Sequence, residues 1–241
     1  DDRGCGTSVM TPLILLPGMM CDTRLFEPQI AGLSGLRRIL SAPISKYDNM
    51  SVGARDFLSW APQKFALAGL SMGGILAMEI LRQAPERVQG LVLMDTNHLP
   101  ETEHVKLNRE TQITAVLEGN LVRVMRDEMK PNYLANGPNH KPILKLCMAM
   151  AKNLGPNVFV SQSKALRDRI DQTHTLRSFV GPALVLCGRD DVLCPVERHQ
   201  LMHNLMPQSI LKIIENCGHL PTLEQPDETT AALLGWMEAL N

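Results

Sequence analysis

The sequence predicts an α/β fold: a mostly parallel central sheet of about six strands with helices on both faces. Two observations carry that reading. Short apolar runs of strand length alternate along the chain with longer amphipathic stretches of helical character. One junction between such a pair, Gly69-Leu70-Ser71-Met72-Gly73-Gly74, crowds glycines around a serine where strand should give way to helix. In a parallel sheet the right-handed crossovers bring the C-terminal strand ends to one edge, and loops at that edge carry the chemistry.

The elements follow in order. Leu13-Ile14-Leu15-Leu16 is the first strand candidate, stopped by Pro17-Gly18. Arg38–Ala42 is the second and Phe65–Ala68 the third. Val88–Met94, ending at Asp95, is the fourth. Ala183–Cys187, ending at Gly188, is the fifth, and Ile210–Ile214 the sixth. Between 97 and 175 the alternation stops. That stretch reads as helices over Val105–Leu117, Leu121–Met129, Ile143–Lys152 and Val158–Arg169, punctuated by Pro131, Gly137-Pro138 and Gly155-Pro156. An insertion at the active edge is expected to act as a lid. The organisation expected is therefore a core of residues 10–96 and 176–241 with a helical lid, 97–175, after the fourth strand. Residues 1–9 are polar and Gly-rich and read as an N-terminal extension or tag remnant, with Met10 the expected start.

Composition narrows the function classes. Of 241 residues 44% are apolar, enough for a sizeable core, and the net charge is −1. No basic block interleaved with aromatics points to nucleic acid, and no apolar run reaches the ~20 residues that cross a bilayer. The six cysteines show no CxxC pair and no zinc spacing, so they read as reduced thiols of a cytoplasmic protein. His199 and His203 lie four apart but lack the glutamate of His-Glu-x-x-His, since Gln200 follows His199; they read as an exposed helix face. No metal and no cofactor are expected.

A serine hydroxyl becomes a nucleophile only when a base takes its proton, an acid orients the base, and donors hold the oxyanion. The base candidate is His219, in Gly218-His219-Leu220-Pro221 just after the sixth strand. The acid candidates are the pair Asp190-Asp191 after the fifth strand, which also suits a helix cap or turn, and Asp95 at the end of the fourth. The turn Pro17-Gly18-Met19-Met20 follows the first strand and can aim a backbone N–H at the same place. Met19 N–H and Met72 N–H are the expected oxyanion donors, with Met20, Leu70 and Leu220 lining the substrate site.

Together these features resemble the α/β-hydrolase superfamily over nearly the whole chain from Met10. The resemblance rests on Gly69-Leu70-Ser71-Met72-Gly73-Gly74, on Gly188-x-x-Asp191-x-x-x-Pro195, and on Gly218-His219 followed by Glu224-Gln225-Pro226. It selects Asp191 over Asp190. It implies Ser71 as nucleophile, His219 as base and then acid, Asp191 as its orienter, and Met19 and Met72 as oxyanion hole. The chain departs from many relatives in carrying Pro17-Gly18 where they have His-Gly, and in lacking a β-hairpin before its first parallel strand. Serine at the elbow argues against the epoxide-hydrolase and haloalkane-dehalogenase branches. The nearest likeness is to compact bacterial esterases, carbon–carbon hydrolases and cofactor-free haloperoxidases.

The function expected is a serine hydrolase acting on a small, largely apolar ester, lactone or thioester, working as a monomer or homodimer. One alternative is carbon–carbon hydrolysis of a ketonic ring-fission product, which shares the triad. A carboxylate-bearing substrate of that kind calls for arginine in the pocket, and Arg109, Arg123, Arg126 and Arg167 are arginines of the insertion. The other alternative is a non-enzymatic small-ligand receptor of the same fold.

Overall fold

The structure, a computed structural model, describes residues 10–240; the expected extension at 1–9 lies outside them. The strands are β1 (Leu13–Leu16), β2 (Ile39–Ser41), β3 (Phe65–Leu70), β4 (Val88–Met94), β5 (Ala183–Gly188) and β6 (Ile210–Ile214). They form one sheet in the order β2-β1-β3-β4-β5-β6, with every neighbouring pair parallel. β1, β3 and β5 are buried along their whole length, which is why they read as unbroken apolar runs. Two strands outrun those runs because the ladder continues: Leu70 pairs with Met94, and Gly188 with Ile214. β2, an edge strand with one neighbour, is shorter than Arg38–Ala42.

The helices before β4 are α1 (Glu27–Leu33), α2 (Met50–Trp60) and α3 (Met72–Gln83). Between β4 and β5 come α4 (Glu103–Leu117), α5 (Leu121–Arg123), α6 (His140–Leu154), α7 (Pro156–Arg167) and α8 (Thr173–Ser178). After β5 come α9 (Val196–Leu205), α10 (Pro221–Glu224) and α11 (Pro226–Met237). α2, α3, α8 and α9 pack in succession, while α1 packs against α11. Asn49 caps α2 by accepting Val52 N–H, and Thr102 caps α4 by accepting Val105 N–H.

Two details differ from the sequence reading. The stretch Leu121–Met129 is one short α turn followed by a π-helical turn, Val124–Met129. α8 was not expected; it straddles residue 175 and packs on α3 and α9. Its sequence, Thr-His-Thr-Leu-Arg-Ser, is too short and polar to show a period. No helix among the described residues is long and apolar enough to cross a membrane.

The topology places the site. β1 has β2 on one side and β3 on the other, so the direction of winding reverses between β1 and β3. Crevices open beyond the strand ends at such a reversal. Leu16 and Gly69 are register partners there, so the loop after β1 and the turn after β3 leave the sheet side by side.

Candidate active site

Ser71 stands between β3 and α3 with φ 54° and ψ −115°. A residue with a Cβ pays on the order of 1–3 kcal/mol for such a backbone, so its surroundings must impose it. Ser71 N–H donates to Met94 O at 2.9 Å, and Ser71 O accepts Thr96 Oγ1–H at 2.7 Å. The glycines are required by contact: a Cβ on Gly73 would lie 1.9 Å from Leu16 O, and one on Gly69 2.3 Å from Gly73 O. The result is a serine held at the head of a 12-residue helix whose first N–H groups have no intrahelical acceptor.

His219 Nε2 lies 2.9 Å from Ser71 Oγ, and His219 Nδ1 lies 2.8 Å from Asp191 Oδ2. Asp191 Oδ1 accepts Leu193 N–H at 2.9 Å and Cys194 N–H at 3.0 Å. Burial pushes the Asp191 carboxyl up, but the charge and hydrogen bond of His219, with hydrogen bonds from Asp95 and Cys194 N–H, outweigh it and hold Asp191 below its ordinary value. An ionised Asp191 only accepts, so His219 carries its proton on Nδ1 and leaves Nε2 free to accept from Ser71. Asp191 is 3% exposed and His219 5%.

The histidine loop is pinned from the insertion. His219 N–H donates to Tyr133 O at 2.8 Å, and the Tyr133 ring stacks over the imidazole with centroids 6.2 Å apart. Glu224 accepts N–H from Gly218 at 3.0 Å, Leu220 at 2.9 Å and Ala135 at 2.8 Å. One carboxylate thus ties both sides of His219 to the segment between β4 and β5.

The acid candidates separate. Asp190 is exposed, and only its backbone joins the framework, N–H to Cys217 O at 2.8 Å. Asp95 is fully buried, accepts Gly188 N–H at 3.0 Å through Oδ1, and makes no hydrogen bond to His219 among the described residues. Two expectations need correction. Met20, expected to line the substrate site, is 1% exposed and outside the cavity wall; its N–H donates to Gln162 Oε1 at 2.8 Å. His199, read as exposed, is fully buried: Nδ1–H donates to Pro195 O at 3.1 Å and Nε2 accepts Thr96 N–H at 3.0 Å. His203 is turned to Ser209 Oγ at 2.7 Å.

A cavity of about 470 Å³ opens over Ser71 and His219, a size suited to a small ligand. Leu70, Leu220, Met19, Ile75 and Leu193 contribute apolar wall. Met19 N–H and Met72 N–H make no hydrogen bond among the described residues. Arg109 reaches the cavity, whereas Arg126 and Arg167 are paired with Asp127, Asp168 and Glu110. Arg123 pairs with Glu128. Sequence reading missed Arg169 and Arg198, which also line the cavity; both follow insertion or loop residues with no motif around them.

Asp191, Cys194 and His219 bring ligand-type atoms within 4.8 Å of one another. Asp191 Oδ2 and His219 Nδ1 already bond each other, and burial pushes the Cys194 thiol well above its ordinary value. Two of the three ligand-type atoms are thus already taken up by their bond to each other, and the third is held as a neutral thiol.

The sequence pattern of the alpha/beta hydrolase family matches residues 2–233. The chain is 24% identical over 230 residues to a pimeloyl-[acyl-carrier protein] methyl ester esterase of Aliivibrio salmonicida, covering 90% of this chain and 88% of that one. It is 27% identical over 220 residues to a protein of the same name from Nitrosomonas europaea, covering 85% and 81%. Among solved structures, a thermophilic esterase from Thermogutta terrifontis with malate bound superposes with a TM-score of 0.82 at 28% identity, over 95% of this chain and 90% of that one. An enol-lactonase from Burkholderia xenovorans shares the fold with a TM-score of 0.81 at 17% identity, over 95% and 92%.

Proposed function

The chain belongs to the alpha/beta hydrolase family, and on that premise we propose that it is a serine carboxylic-ester hydrolase of a small, largely apolar ester, lactone or thioester. The single observation that carries the reading is the continuous hydrogen-bonded path Ser71 Oγ, His219 Nε2, His219 Nδ1, Asp191 Oδ2, at 2.9 and 2.8 Å. The relatives named as esterases support ester chemistry over the other uses of this path.

In this mechanism Ser71 Oγ attacks the acyl carbonyl while His219 Nε2 takes its proton. Asp191 stabilises the imidazolium that results. The oxyanion receives Met19 N–H and Met72 N–H. The tetrahedral intermediate collapses, the carbon–oxygen bond to the leaving group breaks, and His219 returns the proton to the departing alcohol. Water, deprotonated by His219, then attacks the acyl-enzyme, and Ser71 leaves with that proton to free the acid. The segment 97–175 acts as a lid: it forms much of the cavity wall and, through Tyr133 and Ala135, touches the His219 loop.

A second reading is favoured by one observation. Arg109 and Arg169 line the cavity, which is what a carboxylate-bearing ketonic substrate of carbon–carbon hydrolysis calls for. The test of the main reading is chemical. Purified protein is expected to hydrolyse short 4-nitrophenyl acyl esters and to be labelled by a fluorophosphonate, and Ser71→Ala to lose both. Labelling that persists in Ser71→Ala overturns the nucleophile, and turnover of a ring-fission diketone without any ester hydrolysis would favour the second reading.

A further inference from the structure

We propose that the cavity over Ser71 selects esters that carry a second, ionised carboxylate, received by the guanidiniums of Arg109, Arg169 and Arg198. The inference rests on the hydrolase reading and adds to it the charge of the substrate.

The positive charge is built into the wall rather than scattered on a surface. Glu101 is buried, its side chain 1% exposed, and one of its two oxygens, Oε1, receives both Arg109 Nε at 2.5 Å and Arg169 Nη1 at 2.9 Å, while Oε2 has no hydrogen-bond partner among the described residues. One carboxylate therefore serves two guanidiniums, and one positive charge is left over. Arg198 adds another: among the described residues its guanidinium makes no ion pair and no hydrogen bond. The remaining acid of the wall, Glu128, is already engaged by Arg123 Nη1 at 2.9 Å and Gln112 Nε2 at 3.2 Å. The cavity thus carries net positive charge on a wall that mixes apolar side chains such as Leu70 and Ile75 with neutral polar ones such as Asn108 and Gln112.

Donors are also left free. Arg169 uses Nε on Leu99 O at 2.9 Å and Nη1 on Glu101 and Leu166 O, and no acceptor among the described residues takes Nη2. Arg109 uses Nε on Glu101, while Nη1 meets only the Met19 thioether at 3.8 Å, a weak acceptor. A carboxylate can answer guanidinium N–H groups that have no protein acceptor with two parallel charge-assisted bonds. Glu101 then acts as the fixed counter-group that orients Arg109 and Arg169. The contact between Arg109 and Met19 puts this cationic end beside the turn that follows β1, close to Ser71, so a short spacer joins carboxylate and ester.

If Arg109, Glu101 and Arg169 served only to brace the insertion, the charge on the substrate would not matter. The test is a substrate pair. Wild-type kcat/KM is measured on monomethyl succinate, glutarate and adipate, and on methyl esters of neutral acids of equal length, by titrating the acid released. Methyl acetoxyacetate saponified at its methyl end supplies a carboxylate on the alcohol side, which tells the two parts of the ester apart. Charged esters are expected to be preferred at least tenfold, and Arg109→Gln and Arg198→Gln each to reduce that preference tenfold or more. The Arg198 guanidinium makes no hydrogen bond or ion pair among the described residues, so its substitution keeps the test open where Arg109→Gln fails to fold. Exposed Arg126→Gln should leave the preference as it is. Neutral esters hydrolysed as well as charged ones, or a preference untouched by both cavity substitutions, overturns the inference while leaving the hydrolase reading standing. Absence of hydrolysis on both kinds of ester together with no fluorophosphonate labelling overturns both.

Discussion

Asp95 and Asp191, beyond the ends of the neighbouring strands β4 and β5, are buried against each other, and their carboxyls are pushed in opposite directions. Burial pushes the Asp95 carboxyl well above its ordinary value, and the charge of Asp191 pushes it further. Asp191 is held low by His219, by the hydrogen bond from Asp95 and by Cys194 N–H of its own loop. The asymmetry follows from the N–H donors: among the described residues Asp191 has an imidazole and two amides, and Asp95 has Gly188 N–H alone. Asp95 Oδ2 finds no N–H among the described residues. Protonated, it needs none, and donates to Asp191 instead.

The first prediction follows from that proton. Asparagine reproduces a neutral carboxyl that accepts at Oδ1 and donates at the other atom. Asp95→Asn should therefore keep kcat/KM on 4-nitrophenyl esters within about tenfold of wild type, whereas Asp191→Asn should lose on the order of 10⁴-fold, as a triad acid does. A larger loss for Asp95→Asn than for Asp191→Asn would mean that the charge sits on the wrong partner here.

What could be read in the sequence was whatever is local. The strands are short apolar runs because both faces of the sheet are covered, and Ser71, Asp191 and His219 each stand in a turn with its own glycine or proline signature. What could not be read is held across long separations. Met20 is 142 residues from Gln162, Ala135 is 89 from Glu224, and Glu101 is 68 from Arg169. None of those partners carries a local pattern. His199 was misread for the same reason. α9 is polar over most of its length, and nothing in Glu197-Arg198-His199-Gln200 distinguishes the one side chain that the end of β4 covers.

Glycine positions give a second prediction, in two directions. At Gly73 a Cβ would meet Leu16 C=O, backbone that cannot swing aside. Gly73→Ala should cost roughly 3 kcal/mol or more, or abolish folding. At Gly235, inside α11, a Cβ meets nothing within 4 Å. Gly235→Ala should stabilise by about 0.5–1 kcal/mol through helix propensity. Urea denaturation of both variants checks the pair; equal effects would show that the turn at Ser71 has slack.

Glu224 supplies the third. Removing its carboxylate leaves the N–H groups of Gly218, Leu220 and Ala135 without their acceptor, at roughly 1–3 kcal/mol for each that stays buried. Because two of those amides flank His219, Glu224→Ala should lower kcat more than it raises KM. The pH profile of kcat should shift as well, since the imidazole loses its fixed distance to Ser71. A variant that loses thermal stability yet keeps the wild-type kcat and pH profile would make Glu224 a structural cap only.

His199 gives the fourth, and it concerns pH. In the unfolded chain a histidine titrates near ~6.5. In the fold, burial pushes His199 down to about 4, overcoming the opposing hydrogen bond with Pro195 O. Between those values the unfolded chain binds a proton that the folded chain refuses. Stability therefore rises with pH through this window and falls on acidification, by about 2 kcal/mol between pH 7 and pH 5 from this group alone. Glutamine fills the same two roles without titrating: its carbonyl accepts Thr96 N–H and its amide donates to Pro195 O. His199→Gln should thus lose about 2 kcal/mol less than wild type over that range, measured by urea denaturation at both pH values. Equal losses in the two proteins would show that the proton on His199 plays no part in acid sensitivity, and that the neutral, doubly bonded imidazole is not what links the end of β4 to α9.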